Sequence, residues 1–201
     1  MLAFDNLLLA YRKARLGKRG KTAVAAFGLG LERELIDLQQ ELMNGEYRPG
    51  RYRLFQIYER KARQIAAAPF RDRVVHHALM NVIEPPLDRR FIYDCYACRR
   101  GKGTHVAVAR YQHWSRRYAY ALKLDISRYF PSVDHDLLKA KLRRCIGDRR
   151  VLDLMDGIID SSPLFEGERI SYFPGDDLLT PLARRRGIPI GNLTSQFFAN
   201  L

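Results

Sequence analysis

A chain of 201 residues with 47% hydrophobic content can bury a real core, and with no repeat or low-complexity tract it is neither fibrous nor disordered. No apolar run approaches the roughly 20 residues that span a bilayer, and Met1 to Ala10 lacks the basic start and cleavage site of a signal peptide, so a cytoplasmic protein with no membrane partner is expected. Thirty-five Lys and Arg against 22 Asp and Glu leave a net charge of +13, spread along the whole chain, which points to a polyanionic partner.

Basic residues alternate with small apolar ones from Met1 to Gly30, which predicts a helix that contacts RNA or a partner. Leu31, Leu35, Leu38 and Leu42 then recur at helical spacing and stop at Asn44-Gly45. Tyr52 to Ile65 alternates aromatic, branched and basic residues, predicting two short strands that turn near Glu59. Phe70 to Ile83 reads as a helix with Asp72 early and Pro85-Pro86 as its stop. Arg89 to Tyr96 and Arg99 to Gly103 mix rings with cations; aromatic faces stack on unpaired bases while Arg and Lys neutralise phosphates. Cys95 and Cys98 have a redox or zinc spacing, but no second Cys or His pair completes four ligands. Gly103 to Tyr118 is a further helix, opened by Thr104.

The segment from Tyr120 to Leu138 carries the most information. Alternation predicts a strand whose Tyr120, Leu122, Leu124 and Ile126 pack a core while Ala121, Lys123 and Asp125 face a cleft. Beyond Pro131, Asp134 and Asp136 fall in the first turn of a helix striped by Leu137, Leu138, Leu142 and Cys145. A carboxylate on rigid backbone suits Mg²⁺, and two-metal phosphoryl transfer, with ions roughly 3.5–4 Å apart, needs several such groups to converge. Taken alone, Asp125 could equally end a strand or cap a helix. Val151 to Ile159 predicts another helix, Ser161 to Arg186 a hairpin or extended loop, and Gly187 to Asn200 a Gly/Pro turn leading into a helix start that can approach a phosphate or sugar.

Four of these segments, in this order and over roughly residues 45–201, resemble reverse transcriptases of the bacterial type, a group that includes group II intron and diversity-generating retroelement enzymes. Lys61-Ala-Arg63-Gln-Ile65 with Phe70 to Leu79 is similar to the fingers signature that holds the incoming triphosphate, which implies Lys61 and Arg63 as phosphate contacts. Tyr93 to His105 is similar to a template-contacting motif; with Arg71 and Arg73 of the first segment, Arg99, Arg100 and Lys102 are the implied nucleic-acid contacts. In the third segment the resemblance implies that Asp125 is catalytic, that Asp125 and the Ile126 carbonyl bind two Mg²⁺ ions, and that Phe130 is a steric gate against the ribose 2′-hydroxyl, although Phe130 or its neighbour Tyr129 could instead be a core ring.

The fourth segment, Gly187 to Gln196, has Ile190-Gly191 and Ser195-Gln196 where most relatives carry Gln-Gly and a later Ser-Pro. That variant resembles diversity-generating retroelement enzymes, and it implies that Ile190, Gly191 and Gln196 lie at the nucleotide. Replacing a hydrogen-bonding Gln by Ile190 removes a polar check worth roughly 1–3 kcal/mol, so low fidelity at adenines is expected. Asp176-Asp177 superficially resembles the paired-aspartate metal motif, but it precedes the fourth segment; the pair is expected beyond Leu201.

The implied fold is α+β, a right-hand polymerase with fingers and a partial palm on an antiparallel sheet, incomplete at the C-terminus. The divisions are 1–44 N-terminal helical region, 45–118 fingers and 119–201 partial palm. The implied function is RNA-directed DNA polymerase acting on template RNA, a cDNA or primer and dNTPs, with a small basic accessory protein as a further partner. This stretch alone is expected to be inactive. A group II intron or phage-defence reverse transcriptase, or a non-catalytic RNA-binding module on the same scaffold, is the alternative.

Overall fold

The computed structural model describes residues 1–58, 62–163, 172 and 175–201. Helices α1 (Phe4–Ala14), α2 (Thr22–Leu29) and α3 (Leu31–Asn44) lead into a hairpin of β1 (Arg53–Tyr58) and β2 (Ala62–Ala67). Helices α4 (Phe70–Asp88), α5 (Thr104–Ser115), α6 (Tyr129–Ser132), α7 (His135–Arg143), α8 (Arg149–Asp160), α9 (Thr180–Ala183) and α10 (Leu193–Phe198) follow. Helix α3 ends at Gly45, whose φ of +71° is the left-handed conformation that costs glycine nothing, so the leucine stripe stops there as the sequence predicts. The hairpin is antiparallel, pairing Arg53 with Ala67 through to Tyr58 with Ala62, and is the only sheet among the described residues. The predicted turn at Glu59 lies outside the described residues.

Two apolar clusters share one wall. Leu7, Ala10, Tyr11, Val24, Phe27, Leu35 and Leu38 pack against Phe70, Val74, Val75 and Ala78 on the first half of α4. Leu79, Met80, Ile83 and Leu87 on its second half pack against Leu138, Leu142, Met155, Ile158, Ile188, Phe197 and Phe198. Apolar residues therefore surround α4 on successive faces, as expected of a helix enclosed by others. Asn6 of α1 adds a polar seam, donating to the Ala78 carbonyl at 3.0 Å and accepting from the Asn81 amide at 2.9 Å.

Leu137, expected on the apolar stripe of α7, is 69% exposed, and the short helix α9 forms within the stretch expected to be a hairpin or extended loop. Two further elements differ more widely from the sequence reading. Helix α4 continues through Pro85 and Pro86 to Asp88. Both prolines are exposed on its outer face, and Leu87, 1% exposed, anchors the final turn in the second cluster. The missing N–H groups thus forfeit two bonds without admitting the chain to solvent on its packed side. The second difference is larger: no strand forms at Tyr120 to Ile126. Tyr120, Leu122, Leu124 and Ile126 are 94, 83, 81 and 67% exposed, so the face predicted to pack a core is open. Alternation describes a strand only when a neighbour accepts its backbone bonds and covers one face, and no second strand lies beside this segment among the described residues.

Candidate functional site

The segment from Gly187 to Asn200 is where the four motif regions meet. Its first half runs beside α6 and the turn after it: the Ile188 N–H donates to the Phe130 carbonyl at 3.0 Å and the Gly187 N–H to the Val133 carbonyl at 2.8 Å. Two residues on, the Ile190 carbonyl accepts from the Ala66 N–H of β2 at 3.1 Å. Gly191, at φ +108°, lies so close to β2 that a Cβ there would come within 3.0 Å of Ile65 Cγ2. Asn192, 3% exposed, donates to the Tyr52 hydroxyl at 3.1 Å and so ties the start of α10 to the residue before β1. The far end of the segment is held as well. Tyr129 donates its hydroxyl to the Ala199 carbonyl at 3.0 Å, and Asn200 donates to the Ala97 carbonyl at 2.8 Å. Phe91 and Phe197 lie 5.1 Å apart between ring centres.

Phe130, Ile190, Gly191 and the strand carrying Arg63 therefore belong to one bonded network. Arg63 is exposed on β2 opposite Ile57, three residues from the Ala66 bond to Ile190. Gln196 is exposed on α10, while its neighbours Thr194, Ser195, Phe197 and Phe198 are buried. Phe130 packs partly against the second apolar cluster, and its ring lies 6.0 Å from that of Tyr129, which is exposed, in an edge arrangement. Lys61 lies outside the described residues.

Asp125 and Ile126 are exposed on the extended segment that precedes α6. Arg128, at φ +53°, turns the chain out of that segment into the helix. No group of three or more His, Cys, Asp or Glu side chains able to hold a metal ion occurs among the described residues. The Asp125 carboxylate and the Ile126 carbonyl are by themselves fewer oxygen ligands than Mg²⁺ takes. Cys95 and Cys98 are free thiols. Asp134 caps α7, accepting from the Leu137 N–H at 3.0 Å. Asp176 is ion-paired to Arg184, and Asp177 accepts from the Leu179 N–H at 2.9 Å and the Thr180 N–H at 2.7 Å, as a residue ordering a turn does.

The predicted nucleic-acid cations divide into engaged and open ones. Arg99 gives five hydrogen bonds within the protein, including 2.6 Å to Asp88, 2.9 Å to the Ile92 carbonyl and 3.1 Å to the Cys95 carbonyl. Its guanidinium holds the Asp88 carboxyl below the ordinary range. Arg99 thereby shapes the loop after α4. Arg71 pairs with Glu41 at 2.7 Å and lies over the Tyr47 ring, and Arg73 donates to the Ala68 carbonyl at 2.9 Å. Burial, aided by nearby Arg53, lowers the Arg73 pKa. Arg100 is exposed, and Lys102 reaches over Tyr93.

Sequence reasoning missed Tyr52, Asn192 and the Tyr129 hydroxyl as the ties of this network. Only Asn192, a favourable residue ahead of a helix, carried a local signal. It also missed the pairing of Asp72 with Tyr47, where the carboxylate accepts from the tyrosine hydroxyl at 2.8 Å and the Gly50 N–H at 2.8 Å. Burial raises the pKa of both Asp72 and Tyr47.

No family model matches the chain. It is 32% identical over 101 residues to "Nuclear intron maturase 1, mitochondrial" of Arabidopsis thaliana, a match covering 50% of this chain and 14% of that protein. It is 27% identical over 175 residues to "Protein YkfC" of Escherichia coli K12, covering 84% and 43%, and 23% identical over 203 residues to "Putative COX1/OXI3 intron 1 protein" of Saccharomyces cerevisiae, covering 98% and 23%. The chain spans less than half the length of these curated relatives. Its similarity, at low identity, is to intron maturases and intron-encoded proteins. Among the described residues no helix is long and apolar enough to cross a membrane.

Proposed function

We infer that this chain is the fingers and the first part of the palm of an intron-encoded protein of the reverse-transcriptase type, and that it binds intron RNA as template or as splicing substrate. The observation that carries the reading is the bonded network around Gly187 to Asn200. It brings residues from all four motif regions together although long stretches of sequence separate them. The net charge of +13 and the similarity to an intron maturase and an intron protein support an RNA partner. In this reading Arg63 meets the triphosphate, Phe130 and Ile190 border the nucleotide, and Asp125 joins further carboxylates to hold Mg²⁺.

The test measures RNA-templated DNA synthesis and RNA affinity side by side in the native protein and in its Asp125→Asn form. Synthesis is expected to fall at least about a hundredfold, with RNA affinity kept within about twofold. Synthesis that survives the substitution overturns the polymerase assignment. RNA binding by a native protein that never extends a primer supports the non-catalytic RNA-binding alternative.

A second reading, a diversity-generating retroelement enzyme working with a small basic accessory protein, rests on Ile190-Gly191 and Ser195-Gln196. The intron proteins among the relatives favour the first. Misincorporation opposite adenine that exceeds the other bases and declines in Ile190→Gln would reverse that preference.

A further inference from the structure

His135, the first residue of α7, is 3% exposed, and the nucleotide contacts named above leave it without a role. Its Nε2 lies 2.8 Å from the Gly187 carbonyl oxygen. A carbonyl only accepts, so Nε2 carries the proton and donates, in the neutral ring as in the charged one. The other end of the same peptide unit, the Ile188 N–H, donates to the Phe130 carbonyl at 3.0 Å. Both polar groups of the peptide between Gly187 and Ile188 are thus held from α6 and α7. The chain pairs around this clamp as a short antiparallel bridge, with Asp134 opposite Arg186 and the His135 N–H donating to the Arg185 carbonyl at 3.0 Å. Gly187 itself sits at φ +95°, a conformation open to glycine, so its backbone takes whatever orientation its partners impose. On the far side of the ring, Nδ1 has no hydrogen-bond partner among the described residues and lies 3.8 Å from Asp160 Oδ1 at the end of α8. Lys139, one turn along α7, donates to that same oxygen at 2.6 Å, and Arg185 lies 3.8 Å from it.

We propose that His135 is a positioning residue that sets the spacing between Phe130 and Ile190, and with it the room left for the sugar of the incoming nucleotide. This assignment rests on the polymerase reading above and gives sugar selection a determinant outside the residues that border the nucleotide. Phe130 and Ile190 come from separate elements, and the peptide between Gly187 and Ile188 is the link: it is bonded to Phe130 and stands two residues before Ile190. Of the bonds that hold this peptide, the one from His135 comes from a side chain, whereas the one to Phe130 runs between backbone groups that any sequence supplies. His135 is therefore the point at which one substitution can loosen the clamp. A ring this buried acts through the peptide it holds and not by touching a nucleotide. Without its donor the Gly187 carbonyl is left unsatisfied in a buried place and turns to find another partner, carrying Ile190 away from Phe130.

The experiment follows primer extension by the native protein with each deoxynucleotide and with the matching ribonucleotide, giving kcat and KM for both. In His135→Leu the preference for deoxynucleotides is expected to fall by roughly 5- to 30-fold, the range for one lost buried hydrogen bond, mainly through a lower KM for the ribonucleotide. The kcat for deoxynucleotides should stay within about threefold. His135→Gln, whose amide N–H can reach the same carbonyl, should restore the preference to within about twofold of native. If His135→Leu does not fold, His135→Asn, polar but too short to reach Gly187, is read for the same ratio. Amide exchange at Ile188 should quicken in either variant and return to the native rate in His135→Gln. A histidine that merely supports the fold would depress both nucleotides alike; an unchanged ratio in an active variant overturns the proposal and leaves the polymerase reading intact. A native protein that extends no primer overturns the polymerase reading, and the assignment of His135 with it.

Discussion

His76 shows how much one buried side chain can say about conditions. It is 2% exposed inside α4, its Nε2 has no hydrogen-bond partner among the described residues, and burial, with lesser help from His77 and Arg73, pushes its pKa down to about 4. The folded chain therefore holds a neutral ring where the unfolded chain, near the ordinary value of about 6.5, takes up a proton. Its contribution is complete above about pH 6.5 and declines as pH falls toward 4, because the unfolded state then binds more protons. Between pH 7 and pH 5 this one group should account for a loss on the order of 2 kcal/mol in urea unfolding, and His76→Gln should remove that share of the pH dependence. A variant with the native pH slope would assign the loss to other groups, beginning with His77, whose pKa burial also pushes down to about 4.

At the scale of elements, the contact between Gly191 and β2 is the tightest joint in the candidate site. Gly191→Ala introduces a Cβ 3.0 Å from Ile65 Cγ2 and asks alanine to hold φ near +108°. A destabilisation of roughly 1–3 kcal/mol is expected, accompanied by faster amide exchange at Ala66, whose N–H is bonded to Ile190. Exchange at Ala66 unchanged by the substitution would show the joint to be looser than its geometry. The hairpin, α3 and α8 were legible in the sequence because each follows a period of two or 3.6 to a recognisable stop. Helix α4 was read short because Pro85-Pro86 is a strong local stop, and local rules do not see that Leu87 has a buried place waiting. The segment from Tyr120 to Ile126 failed in the opposite sense: its alternation is clear, but a strand is a property of two chains side by side and one sequence segment displays only half of it. The meeting of the segments that carry Phe130, Ile65 and Ile190, through the bonds from Ile188 to Phe130 and from Ala66 to Ile190, had no local signal at all. Only the resemblance to a polymerase family grouped those residues, and the hydrogen bonds that join them run between backbone groups, whose partners no side-chain pattern records.

At the scale of the whole molecule, a net charge of +13 makes salt the simplest probe of the candidate function. The affinity for single-stranded RNA should fall linearly on a double-logarithmic plot, by about 0.7 for each phosphate neutralised, and Arg100→Ala should lower that slope by about one such step. An affinity indifferent to salt would contradict a charge-led interface. Helix α4 has a different kind of reach, since Phe70, Val74, Val75 and Ala78 complete one cluster and Leu79, Met80, Ile83 and Leu87 the other. A wall common to two rooms cannot be moved for the benefit of one. Exchange of the first three helices between related genes would succeed only where the donor brings side chains shaped to this same wall, which makes the amino-terminal region a co-inherited partner of α4 and not a freely exchangeable module.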